Sequence, residues 1–143
     1  MINFDEYRDV FVVADTIDDV VHPVTYELIG QARRIAKELG QLVQVMLLGE
    51  NVQAEAEELV AHGADIVHVF ESPLLKYYTT DGYTKVLTDF FEDHKPNILL
   101  IGATNNGRDL APRMSGRMQN GVVADCTILT VDTEEGLVEW TRP

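Results

Sequence analysis

The sequence predicts an α/β domain: a three-layer, mostly parallel open sheet with helices on both faces. Short β-branched runs alternate with longer stretches of helical period, which is the pattern of successive β-α-β units. The run Ile98-Leu99-Leu100-Ile101 is apolar at every position, as a central parallel strand covered on both sides must be. At 143 residues, with 45% AVILMFWYC and 24% charged residues, residues 1–143 have the length and composition of one domain.

The first strand is Val10 to Ala14, followed by a loop from Asp15 to His22. Pro23 suits the first turn of a helix, whose apolar face is Leu28, Ala32, Ile35, Ala36 and Leu39 and whose stop is Gly40. A second strand, Leu42 to Leu48, leads through Gly49 and Asn51 into a helix carrying Val52, Ala56, Leu59 and Val60 up to Gly63. Ile66 to Phe70 makes the third strand. A polar, tyrosine-bearing loop through Ser72, Pro73, Tyr77 and Tyr78 then precedes a helix near Tyr83 to His94, closed by Pro96.

The fourth strand, Ile98 to Ile101, belongs in the middle of the sheet. After the loop Gly102 to Arg108, a helix is expected to begin near Asp109, because Pro112 is tolerated in a first turn but clashes in a helix interior. It runs to about Gln119. A strand over roughly Val122 to Val131, a turn at Asp132 to Gly136 and a strand Leu137 to Thr141 look antiparallel at the end. Right-handed crossovers favour the order 3-2-1-4-5 plus these C-terminal antiparallel strands, with a switch point between strands one and four. Ligands of such sheets sit at the carboxyl ends of those strands, which directs attention to Asp15 to His22 and Gly102 to Asp109.

Charge narrows the partners. Eleven Lys+Arg against twenty-four Asp+Glu give a formal net charge of -13, and no basic cluster exceeds the pair Arg33-Arg34. Nucleic acid and anionic membranes are therefore poor partners. No apolar run approaches the roughly 20 residues of a spanning helix. The acidic start lacks a secretory pattern and the single Cys126 suits a reducing compartment, so a cytoplasmic location is expected.

No catalytic constellation stands out. Gly102 to Asp109 has the glycine spacing of a phosphate loop, yet Arg108 replaces its lysine and Asp109 its Ser or Thr, which leaves a tight turn as the plainer reading. With the helix starting near Asp109, which can complement its dipole, Thr104, Asn105, Asn106 and Arg108 form an exposed loop, either a recognition surface or a solvated turn. Arg113 and Arg117 lie four apart on one helical face, and Asp109 lies four before Arg113: a surface ion-pair pattern, or a basic stripe suited to an acidic partner. His22, His62, His68 and His94 fall in four segments without metal-site spacing, so no metal is expected. Acidic pairs such as Asp18-Asp19 and Glu57-Glu58 read as solvated faces and turns.

The segment Gly102-Ala-Thr-Asn-Asn-Gly-Arg-Asp-Leu-Ala-Pro-Arg113, followed by Gly121-Val-Val-Ala-Asp-Cys-Thr127 and Trp140-Thr-Arg-Pro143, closely resembles the N-terminal domain of the electron-transfer flavoprotein α subunit. Val10-Phe-Val-Val-Ala-Asp15, Gly30-Gln-Ala-Arg33 and Ala61-His-Gly-Ala64 extend the resemblance over essentially the whole chain. In that family the chain continues past Trp-Thr-Arg-Pro into a second domain that binds most of an FAD. Here the sequence stops at Pro143.

The resemblance therefore implies a scaffold and heterodimerisation domain of an electron carrier linked to acyl-CoA dehydrogenases, without catalytic residues of its own. FAD is expected in the assembled complex, held mainly by the second domain and the β subunit, with none bound tightly by this chain alone. Thr104, Asn105, Asn106, Arg108, Arg113 and Arg117 are the candidates for the partner interface. The acidic start and the Trp-Thr-Arg-Pro ending are closer to the anaerobic, NADH-dependent branch, in which Arg142 would approach the FAD of the β subunit. The alternative is a stand-alone adenine-nucleotide-binding α/β domain using the loops after strands one and four.

Overall fold

A computed structural model describes residues 8–119, 127–132 and 136–141, the last two ranges as backbone. Its elements in order are β1 (Val10–Val13), β2 (Thr16–Ile17), β3 (Val20–Val21), α1 (Val24–Leu39), β4 (Val43–Gly49), α2 (Gln53–Ala61), β5 (Ile66–Glu71), α3 (Thr80–Asp93), β6 (Ile98–Gly102), α4 (Asn105–Gln119), β7 (Thr127–Asp132) and β8 (Gly136–Thr141). A short 3-10 turn, Pro73–Leu75, precedes α3.

Among the described residues the main sheet runs β5-β4-β1-β6-β7-β8. Pairing is parallel from β5 through β7, and β8 returns antiparallel to β7 with a bulge at Thr130/Val131. The order expected from the sequence is the one found. β1 lies between β4 and β6, with Val10 opposite both Val43 and Ile98.

Alternation along the strands separates two cores. Phe11, Met46, Leu48, Leu99 and Ile101 face α3 and α4, where Leu87, Phe91, Leu110 and Met114 meet them. Val10, Val12, Val43, Val45, Leu47 and Leu100 face the other way, onto Leu28, Ile29, Ala32 and Ala36 of α1 and Leu59 of α2. Both faces of the sheet are covered, which is why the central strands are apolar almost throughout.

α1 keeps Val24, Leu28, Ala32 and Ala36 buried, and Gly40, in the left-handed conformation at φ 66°, ends it. Leu39, read as part of its apolar face, is 46% exposed in the last turn. Val60 of α2 is likewise exposed.

Two expectations need correction. The segment after β1 is a small antiparallel hairpin, β2 and β3, where an irregular loop was expected. Its strands have two residues each, too short for any periodicity to register.

The second correction concerns α4, which begins at Asn105, four residues before the expected Asp109, with Pro112 in its interior. The Thr104 hydroxyl oxygen accepts from Gly107 N at 3.1 Å, and Thr104 O accepts from Arg108 N at 2.8 Å, so Thr104 is the N-cap. Pro112 lies on the exposed side of α4, along with Arg108, Arg113 and Arg117, where the carbonyl that loses its helical donor faces solvent rather than the core. Residues 105–108 are thus the first helical turn, and Gly107 within it is buried.

The acid pair Asp18-Asp19 forms the turn of this hairpin, as the sequence suggested, and Asp19 also anchors it: its side chain accepts from Glu50 N (2.8 Å) and Asn51 N (3.1 Å) at the β4–α2 junction.

One polar network lies under α3. His68 donates from Nε2 to Gln44 Oε1 (2.6 Å), and Gln44 Nε2 donates to Asp9 Oδ2 (2.7 Å). The His68 ring lies 4.7 Å from that of Phe90 and 6.0 Å from that of His94. Burial first, then the His94 charge, push the His68 pKa below its ordinary value near 6.5. The unfolded chain then takes up this proton at a higher pH than the folded one. His68 is therefore expected to contribute its stability above about pH 6.5 and to lose it as pH falls through that value towards the depressed folded pKa. Urea midpoints from about pH 8 down to about pH 5 should fall less steeply in His68→Gln than in the wild type.

Candidate functional site

The carboxyl ends of β1 and β6 diverge at the switch point, where a ligand of a doubly wound sheet would sit. The loop after β1 supplies Asp15 and Thr16, and the turn after β6 supplies Gly102 to Thr104 and the first turn of α4. Thr104 donates its hydroxyl to the Asp15 carboxylate, and Asp15 N donates to Thr25 Oγ1 at 3.0 Å. One side-chain link thus joins the two strand ends across the point where the topology reverses.

The glycine spacing there is used for closure. A Cβ on Gly107 would overlap the carbonyl oxygen of Gly102, with the Ile101 side chain only 3.1 Å away. Gly107 N donates to Thr104 Oγ1, so this helix-start donor is already engaged. The tight turn is confined to Ala103 and Thr104, between the end of β6 at Gly102 and the start of α4 at Asn105. Thr104→Ala is expected to lower stability by about 1 to 2 kcal/mol through loss of the cap and of the Asp15 contact, and Thr104→Ser should restore most of it in urea unfolding.

Beneath the hairpin, Tyr78 and Tyr83 pack edge to face with ring centroids 5.0 Å apart. Tyr83 donates its hydroxyl to Leu75 O (2.7 Å), and Thr16 donates to Leu48 O (2.9 Å). With Asp15, Gly102, Asn106 and Gly107 they line a crevice of about 20 Å³, room for one water. Outside it is an open shelf of about 410 Å³ lined by Asp15, Ile17, His22, Thr104, Asn105 and Arg108 among others. His22 Nδ1 accepts from Val24 N at the start of α1.

Among the described residues the switch point offers FAD no fitting cavity: the crevice is far smaller than an isoalloxazine, and the open shelf beside it is lined by the Asp15 carboxylate as well as by Arg108.

The exposed face of α4 carries Asn105, Arg108, Arg113 and Arg117, with Thr104 and Asn106 half-buried at its start. The structure therefore gathers the predicted interface candidates along one helix. Asp109 does not serve mainly as the partner of Arg113. It accepts from Tyr78 Oη (2.7 Å) and from the Thr80 hydroxyl, tying α4 to α3, and these bonds hold its carboxyl below the usual carboxylate range. Burial, then the bond to Asp109, raise the Tyr78 pKa. Arg113 pairs with Asp81 instead, at 2.6 Å.

Arg142, Cys126 and the segment 120–126 lie outside the described residues. Among the described residues there is no cluster of three potential metal ligands, and no helix is long and apolar enough to cross a membrane.

Sequence reasoning missed the Thr104 cap and the hydroxyl pair on Asp109. A signal for the cap was available: Thr-x-x-Gly opens both α3 and α4, and Gly82 N donates to Thr79 Oγ1 just as Gly107 N does to Thr104.

Fold and site together define a doubly wound α/β domain whose glycine turn is closed on itself. A family model described as the electron transfer flavoprotein domain matches residues 10–143. The chain belongs to the electron transfer flavoprotein family. It is 45% identical over 138 residues to the electron transfer flavoprotein subunit alpha of Megasphaera elsdenii, covering 96% of this chain and 41% of the relative. It is 45% identical over 133 residues to subunit LctC of the lactate dehydrogenase (NAD(+),ferredoxin) of Acetobacterium woodii, covering 93% and 32%. Against the acryloyl-CoA reductase electron transfer subunit beta of Anaerotignum propionicum the identity is 43% over 130 residues, covering 91% and 35%. The chain thus spans about a third to two fifths of these curated relatives.

Proposed function

We propose that residues 1–143 form a single scaffold domain, equivalent to the N-terminal domain of an electron-transfer flavoprotein α subunit, whose task is to hold a β subunit and not to bind FAD itself. The observation that carries this reading is the closed switch point: the glycine turn, the Thr104 cap and the two tyrosines use for internal packing the groups a nucleotide site would offer outward. The exposed face of α4, with Arg108, Arg113 and Arg117 and flanked by Thr104, Asn105 and Asn106, is the proposed interface with the β subunit. The assembled carrier, located in the cytoplasm, would serve acyl-CoA dehydrogenase-type partners. The relative named for acryloyl-CoA reductase supports that choice, and the one named for both NAD(+) and ferredoxin supports an NADH-dependent, electron-bifurcating type. In the complex Arg142 would lie near the β-subunit FAD, as a fixed cation that favours a reduced, anionic flavin.

Two measurements test this. The purified chain should stay colourless after incubation with FAD and desalting; a stoichiometric yellow product would refute the division of labour. Arg117→Glu should weaken association with a co-expressed β subunit by about 1 to 3 kcal/mol while leaving the thermal midpoint of the isolated chain unchanged. Unaltered affinity would remove α4 from the interface.

A further inference from the structure

Two motifs of the sequence that take no part in the switch point meet at the opposite end of the domain. Gly30-Gln-Ala-Arg33 lies on α1, and Ala61-His-Gly-Ala64 closes α2. Gly63 sits at φ 119°, a conformation that side chains resist, and the Arg33 side chain lies across it: a Cβ on Gly63 would come within 2.5 Å of Arg33 Cδ. The bare glycine is the seat for the Arg33 stem, so this guanidinium is held against α2 while its charge stays exposed. Beside it, at the amino ends of β4 and β5, opens a groove of about 620 Å³ lined by Arg33, Arg34, Lys37, Gln41, Val60 and Asp65 among others.

Three neighbouring cations gather here. Lys76, Lys85 and Arg113 each have a carboxylate within 4.0 Å. Among the described residues no carboxylate lies that close to Arg33, Arg34 or Lys37. Asp65, the acid lining this groove, is turned to the backbone, its Oδ2 accepting from Val43 N at 2.8 Å. Val60, 53% exposed, adds an apolar wall.

We propose that this groove is a docking surface for an acidic segment of a partner protein, whose carboxylates meet Arg33, Arg34 and Lys37 and whose apolar side chain covers Val60. On a chain of net charge -13 an acidic partner is repelled overall, and with screening over roughly 8 Å a local patch decides where contact forms; the competing patch is that of the α4 arginines, where Arg113 is already paired with Asp81. A long polyanion such as nucleic acid would overrun the patch onto acidic surface. A small phosphate finds only solvated cations, which bind it weakly.

Titration of the isotopically labelled chain with poly-L-glutamate at low ionic strength, followed by amide NMR, tests the proposal. The largest shifts are expected at Arg33 to Lys37 and Gly63 to Asp65, with affinity about tenfold lower in Arg34→Gln/Lys37→Gln. That variant keeps Arg33 on Gly63, and an unchanged thermal midpoint verifies its fold. Shifts centred on the α4 arginines, unaltered affinity in the double variant or no binding would overturn the assignment. So would inorganic pyrophosphate moving the same amides at lower concentration, which would make the groove a phosphate site.

Discussion

Gly107→Ala is expected to unfold the chain or bring it close to unfolding. The added methyl meets backbone, the Gly102 carbonyl, so no side-chain rotation can relieve it. Either α4 lifts from the end of β6, losing the burial of Leu110, Ala111 and Met114, or the turn that links β6 to α4 is distorted. Overpacking of flexible side chains costs about 1 to 3 kcal/mol, and a backbone overlap exceeds it, so a loss of about 3 kcal/mol or more is expected. Chemical denaturation reads this directly. A midpoint within error of the wild type would mean that α4 is not anchored through this turn.

Phe91→Ala should have the next largest effect, about 3 to 5 kcal/mol. Phe91 is fully buried, and its ring meets those of Phe11 and Phe90 edge to face, each at 5.3 Å. Removing it opens a cavity between the sheet and α3, where Leu87 and Phe11 are held by the surrounding packing and cannot collapse freely. Phe91→Leu keeps most of the volume and should lose less than about 2 kcal/mol. Equal losses for the two substitutions would show that the edge-to-face geometry, and not the filled volume, is what this position contributes.

Much of the fold was legible because strand and helix periods survive in the sequence. Val10 to Val13, Val43 to Gly49 and Ile98 to Gly102 are apolar enough to mark buried parallel strands, and their order follows from handedness. What escaped was set by contacts distant in sequence or by competing local rules. The start of α4 is not legible from Pro112 alone: the cost of an interior proline points to Asp109, the Thr-x-x-Gly cap went unread, and only the burial pattern shows Pro112 on the wet side. Asp19 could not be assigned from its neighbours, since its partners lie 31 and 32 residues away. At the candidate interface, helical spacing placed Arg113 and Arg117 together but could not reveal that Tyr78 and Thr80 would claim Asp109.

The bond between Thr104 and Asp15 spans 89 residues and bridges the seam between the two halves of the sheet. Many doubly wound proteins spread along that seam to admit a guest. In this one the seam is stitched at its mouth, so prising the two halves apart there must first break the stitch.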